Sequence, residues 1–196
     1  MVRDQLKFEP GSHMCLVYQD LAEQMEVVVP YCLGGLTRKE CCVYVVDDRI
    51  GSQVMRALTR AGVDVASQNK RGALVLLNKY KAYIQSGRFD PREEIERLQE
   101  SYQEKLKAGF SGLRVTAEMT WALGAEPGCS RLIEYEAMLN RFLRGKQAMY
   151  LCQYNANRFP ASVIKEACRI HPKIISNGHV SSRLLSDSKS KVRTTS

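Results

Sequence analysis

Apolar positions in this chain fall into short unbroken runs, separated by stretches in which they recur every three to four residues. The first run, HMCLVY at 13–18, reads as a strand. Behind it, from Asp20 through LAEQMEVVVPYCLGGL, the spacing is helical, with Asp20 placed to cap the start and the Gly34-Gly35 doublet placed to close the end. The same alternation continues through CCVYVVDD (41–48), a helix over 52–61, the strand ALVLLN (73–78) and an amphipathic helix over 91–108. It ends with the strand GLRVTAEM (112–119), a helix over 130–143, the strand AMYLCQY (148–154), a helix that begins at Pro160 and runs to 169, and KIISNG (173–178). Six strands, each apolar on both faces, predict an α/β domain: a mostly parallel sheet in three layers, with helices on both faces. In such sheets ligands bind beyond the carboxyl ends of the strands. That directs attention to Tyr18 to Asp20, to Asp47 and Asp48, to Glu118 to Trp121, and to Cys152 to Asn155.

A length of 196 residues suits one such core, expected over residues 1–180, followed by a basic, Ser-rich tail at 181–196. Hydrophobic residues at 44% and charged residues at 26% exclude wholesale disorder, and no apolar run is long enough for a membrane span. The first residues lack the apolar core of a secretory signal, and seven is an odd number of cysteines. Both features lead us to expect reduced thiols and a cytoplasmic setting rather than a disulfide framework. The net charge of +8 is concentrated in the tail and in the stretch 141–173. No reading element for DNA or RNA accompanies it, so the excess is read as solvated surface and no nucleic-acid partner is expected.

A nucleotide site needs glycines and a lysine between the first strand and its helix, to wrap and reach the phosphates. Here that junction is VYQDLAEQ, with two acids, Asp20 and Glu23, and neither Gly nor Lys. No ATP is expected. Asp47, Asp48 and Glu118 stand where related folds hold magnesium or activate water, yet with no phosphate cradle they read as capping and strand-end residues.

Several segments resemble a known family. Gly11, His13, Cys15, Leu16 and Tyr18, in the order G-x-H-x-C-L-x-Y, are followed in register by VVVPYCLGGL, YVVDD, GRFDP (87–91), SGLRVTAEMTWAL (111–123), YEAMLNRF (135–142), LCQYNANRFP (151–160) and His171-Pro172. Together they resemble the MEDS domain, the methanogen/methylotroph DcmR sensory domain, over residues 8–180. The resemblance implies a RecA/KaiC-like fold that has lost its P-loop, and a non-enzymatic sensor of small hydrocarbon derivatives. It also implies a signalling partner, whether a kinase, an anti-sigma protein or a transcription regulator, and marks His13, Cys15 and Cys152 as ligand-binding residues. With no nucleotide to bridge subunits, a monomer or homodimer is expected. An ATP-binding KaiC-like protein with an atypical phosphate site, or a nucleic-acid-binding regulator, is the alternative.

His13 and Cys15 are two apart on one strand and therefore share a face, and a RecA-like strand order sets Cys152 on the neighbouring strand. One imidazole and two thiols could bind a soft metal ion, hold a small polar ligand or form a reversible disulfide. Cys168 and His171, at i and i+3, could add ligands, although His171 before Pro172 reads first as a helix-terminus residue. Cys32, Cys41, Cys42 and Cys129 read as small core residues. Tyr18, Trp121, Tyr154 and Phe159 are the candidates for an aromatic wall around an apolar ligand, with Glu118 as a polar contact beside them.

Overall fold

The computed structural model describes residues 8–46 and 51–182. Asp47, Asp48 and residues 183–196 lie outside the described residues, while the first two residues of the expected tail, Ser181 and Ser182, belong to the last strand. The strands are β1 (His13–Tyr18), β2 (Cys41–Val45), β3 (Leu74–Leu77), β4 (Leu113–Glu118), β5 (Ala148–Asn155), β6 (Lys173–Ser176) and β7 (His179–Ser182). They form one sheet in the order β3-β2-β4-β5-β1-β6-β7. All neighbours are parallel except β6 and β7.

Helices α1 (Leu21–Thr37) and α2 (Gly51–Arg60) cover one face; α5 (Pro91–Lys107), α6 (Leu132–Phe142) and α7 (Ala161–Ile170) cover the other. Short helices α3 (Val65–Lys70) and α4 (Lys79–Ala82) flank β3, and 3-10 turns follow β4 and precede α6. The period-2 alternation of strands divides the interior into two cores. Met14, Leu16 and Tyr18 join Met149 and Leu151 under α1 and α2, while Cys15, Tyr150, Cys152 and Tyr154 join Tyr135, Leu139 and Ala167 under α6 and α7.

Three expectations change. Gly34 and Gly35 do not end α1, which continues to Thr37 and is closed at Arg38. The reason for Gly35 is close packing: a Cβ there would sit 2.5 Å from Cys42 Sγ and 2.8 Å from Arg114 Cδ. The last strand is one arm of a hairpin, turned by Asn177 and Gly178, both at positive φ as a tight type I′ connection needs. The segment 65–82 also carries two short helices not foreseen, capped by Asp64 and Asn78. Among the described residues no helix is long and apolar enough to cross a membrane.

Candidate metal and sensor site

β1 and β5 run side by side with Cys15 opposite Cys152 and His13 opposite Tyr150. This register brings His13 Nε2 to 3.4 Å from Cys152 Sγ. Two further residues close on the same point. Glu136, from the buried side of α6, sets Oε2 at 3.0 Å from His13 Nε2 and 3.2 Å from Cys152 Sγ. His171, the residue that ends α7, brings Nε2 to 3.3 Å from the same oxygen. All four side chains are buried, and their four ligand atoms lie within 4.8 Å of one another.

The surroundings fix which atoms face inward. Asn140 donates through Nδ2 to the Ile170 carbonyl at 3.1 Å, which turns its Oδ1 toward His13 as an acceptor, 3.0 Å from Nδ1. His13 therefore carries a proton on Nδ1 and turns Nε2 to the cluster, as a donor to Glu136 when the ring is protonated and as a lone pair when it is neutral. His171 donates from Nδ1 to the Ala167 carbonyl at 2.8 Å, so its Nε2 also faces the cluster. That nitrogen has no hydrogen-bond partner, because the 3.3 Å approach to Glu136 is a charge contact without hydrogen-bond alignment. Glu136 Oε1 accepts from the Tyr154 hydroxyl, which leaves Oε2 for the cluster. Two imidazole nitrogens, one carboxylate oxygen and the Cys152 thiol thus converge.

Electrostatics follow from this crowding. Burial alone would raise the Glu136 carboxyl, but the facing His171 and His13 outweigh it and hold the group well below the usual carboxylate range. Burial, and then the neighbouring His171, lower His13 against the opposing pull of Glu136 and Asn140. Burial, and then Glu136, push the Cys152 thiol well above its ordinary value. Three of the four ligands, His13, His171 and Glu136, are held by partners outside the cluster, as ligands of protein metal centres usually are. Tetrahedral zinc, at about 2.0–2.3 Å from N, O and S ligands, needs them about 3.5 Å apart. Four of the six ligand–ligand spacings, between 3.0 and 3.4 Å, lie near or just below that value, and all six lie within 4.8 Å.

Other anticipated site residues are dispersed. Cys15 is buried on the correct face, but its thiol hydrogen-bonds that of Cys168 instead of joining the cluster; this contact, and then burial, raise it well above its ordinary value. Tyr154 serves as the hydroxyl donor to Glu136. Tyr18 packs in the opposite core because its strand position points the other way. Glu118 also lies on that opposite side, where its Oε1 accepts from the Tyr44 hydroxyl at 3.2 Å. Trp121 stacks on Tyr83 at 4.4 Å between ring centres and leans on Phe89 at 4.5 Å. The four aromatics therefore form no common wall: Tyr154 and Phe159 meet at 5.1 Å, and the sheet or the intervening core separates the rest.

Glu136 and Asn140 were missed by reasoning from sequence. Their signal was present: two polar residues at i and i+4 inside YEAMLNRF share one helix face, and that face is otherwise apolar. At the β1–α1 junction, Asp20 Oδ1 accepts from the Glu23 amide at 3.0 Å, while Glu23 accepts from the amides of Gln19 at 2.8 Å and Asn177 at 3.2 Å. The protein's own carboxylates thus take the amides that a phosphate would need.

Comparison with known proteins agrees with this architecture. Residues 12–172 match the family model described as MEDS, the MEthanogen/methylotroph, DcmR Sensory domain. Among solved structures, a KaiC-like protein from the hyperthermophilic archaeon Pyrococcus horikoshii superposes with a TM-score of 0.58 at 14% identity, covering 86% of this chain and 72% of that one. The flagellar accessory protein FlaH from Methanocaldococcus jannaschii gives a TM-score of 0.59 at 15% identity, covering 87% and 75%. These likenesses establish a RecA-like fold. No curated protein matches the chain.

Proposed function

This chain belongs to the MEDS family, and from that premise we propose that it is a non-enzymatic, cytoplasmic sensory domain whose detector is a metal centre at His13, Glu136, Cys152 and His171. The observation that carries the reading is the convergence of two imidazole Nε2 atoms and the Cys152 thiol on one buried carboxylate oxygen, with the Nδ1 of each imidazole already bonded outward. A divalent ion such as zinc would replace the imidazole protons as the counter-charge to Glu136 and supply a Lewis-acid centre. Cys152 would bind as thiolate, its proton leaving to solvent, so affinity falls as pH drops.

The four residues belong to four elements. His13 sits on β1, Cys152 on β5, Glu136 on α6, and His171 at the end of α7. Occupancy, or oxidation of the Cys152 thiol, would therefore change how firmly α6 and α7 are held to the sheet. Those helices form an outer surface from which a kinase, anti-sigma protein or transcription regulator could read the state. Binding of a small hydrocarbon derivative would feed the same output.

A KaiC-like fold also invites a nucleotide reading, but the carboxylates at the β1–α1 junction oppose a triphosphate. A melting assay on the reduced protein separates the two. Zinc should stabilise the wild type and fail to stabilise Cys152→Ser or His171→Ala, while Mg-ATP has no effect. Equal zinc stabilisation of all three proteins sinks the metal centre, and a shift with Mg-ATP restores the nucleotide reading.

A further inference from the structure

On the same face of the sheet as the four-residue cluster, a cavity of about 200 Å³ lies between β2, β4 and α5. Val43, Val45, Val115 and Leu98 form apolar walls, and Tyr83 and Tyr150 also line it. These two buried tyrosines belong to a hydroxyl chain in which Tyr135 donates to Tyr150 at 3.3 Å, and Tyr150 and Tyr83 share a hydrogen bond of 2.6 Å. Three hydroxyl protons serve two links. Tyr135 spends its proton on Tyr150, so the surplus O–H belongs to Tyr83 or Tyr150, both of which line the cavity. A buried hydroxyl proton without an acceptor is costly, and an acceptor oxygen in the cavity relieves that cost.

A second polar group stands at the same cavity. Glu94 accepts from Arg97 Nε at 3.0 Å and Nη2 at 2.7 Å, both through Oε2, which leaves Oε1 with no hydrogen-bond partner among the described residues. A ligand hydroxyl can accept from the tyrosine and donate to this oxygen. The cavity is partly open, with polar side chains including Lys81 and Gln85 on its lining, and its 200 Å³ exceeds the roughly 150 Å³ that holds benzene, which leaves room for a six-membered ring with one small substituent.

We infer that this cavity binds a compact neutral molecule with a ring-sized apolar body and one hydroxyl group, of the size of phenol or cyclohexanol, held by the Tyr83–Tyr150 hydroxyls. The inference rests on the sensory reading for its meaning, though not for the binding itself. It also gives a physical route to the detector: Tyr135, which donates to Tyr150, is the neighbour of Glu136 on α6. A ligand in the cavity and an ion in the cluster therefore act on adjacent residues of one helix.

The test is an NMR titration of the full chain with phenol and with toluene, each in chelator and again with zinc. Phenol should shift signals around Tyr83, Leu98 and Val115 and at the Trp121 indole, and bind about tenfold tighter than toluene, the worth of one buried hydrogen bond. Tyr83→Phe/Tyr150→Phe should bring phenol down to toluene's affinity, and Val43→Phe should abolish both by filling the space. Absence of localised shifts, or phenol binding undiminished in the double variant, overturns the inference. If the double variant does not fold, retained phenol binding in Val43→Phe overturns it instead. Phenol binding without zinc binding would remove only the metal centre, and zinc binding without phenol binding only the cavity ligand.

Discussion

The two faces of the sheet bury charge in opposite ways. Beneath α1, Arg114 is completely buried on β4, yet its Nε donates to Glu40 at 2.6 Å and Nη1 to the Tyr31 carbonyl at 2.7 Å, and the guanidinium lies 4.8 Å from the Tyr31 ring centre. Glu40 meets two cations, Arg114 in the interior and Arg38 at 3.2 Å, and of the guanidinium's nitrogens only Nη2 lacks an acceptor among the described residues. Beneath α6 and α7, one carboxylate meets two imidazoles whose Nδ1 atoms are bonded outward, and a thiol whose ionisation burial opposes. The first arrangement holds a permanent cation beside its anion. The second has, among the described residues, only imidazole protons to balance Glu136, and a metal cation can take their place.

The largest expected effect comes from breaking the matched pair. Arg114→Met removes the buried partner of Glu40, leaves it only the half-exposed Arg38, and should cost about 3 kcal/mol in urea unfolding, whether or not zinc is present. If zinc rescues that variant, the two faces are not independent. Glu94 sharpens the contrast, because its carboxyl, raised by burial against the opposing effect of Arg97, is pushed up to about 7. The folded state then holds a proton that the unfolded chain releases near 4.5. This contribution is complete below that value and is lost as pH rises toward 7, amounting to about 3 kcal/mol. Unfolding measured at pH 5 and pH 8 should show the decline in wild type, and Glu94→Gln should flatten it. A decline of the same size in the variant assigns it to another group.

Zinc at a hundredfold excess over its dissociation constant should add about 2.7 kcal/mol to the wild type and none to Cys152→Ser. Asn140→Ala removes the acceptor that orients His13 without touching the ion. Zinc affinity should fall about 10- to 100-fold, as for other outer-shell partners. Affinity unchanged in a competition titration would make Asn140 a packing residue only.

How much of this could be read from sequence differs between fold and site. The continuous apolar runs identified a parallel sheet, because strands covered on both faces must be apolar on both. The loss of the phosphate loop was visible as missing glycines. The neighbouring of His13 and Cys152 followed from strand order. What periodicity could not supply was depth: Glu136 looks like any polar helix residue until α6 packs its buried face on β5. His171 looked like a helix end, which it is, and only the fold of α7 aims its second nitrogen inward. Gly35 was mistaken for a stop because the arginine it accommodates is almost eighty residues away in sequence. The terminal hairpin was legible in Asn177-Gly178, the strongest short-range signal for one, and was overlooked by reading the strand through it.

Titration of the reduced, metal-free protein with cobalt(II), followed by its absorption spectrum, reports the metal centre itself. Intense visible bands of a tetrahedral ion and a thiolate-to-cobalt charge-transfer band are expected, both saturating at one equivalent and displaced by zinc. In Cys152→Ser the charge-transfer band should vanish. A weak six-coordinate spectrum, or a charge-transfer band that persists in Cys152→Ser, would contradict a metal centre at His13, Glu136, Cys152 and His171.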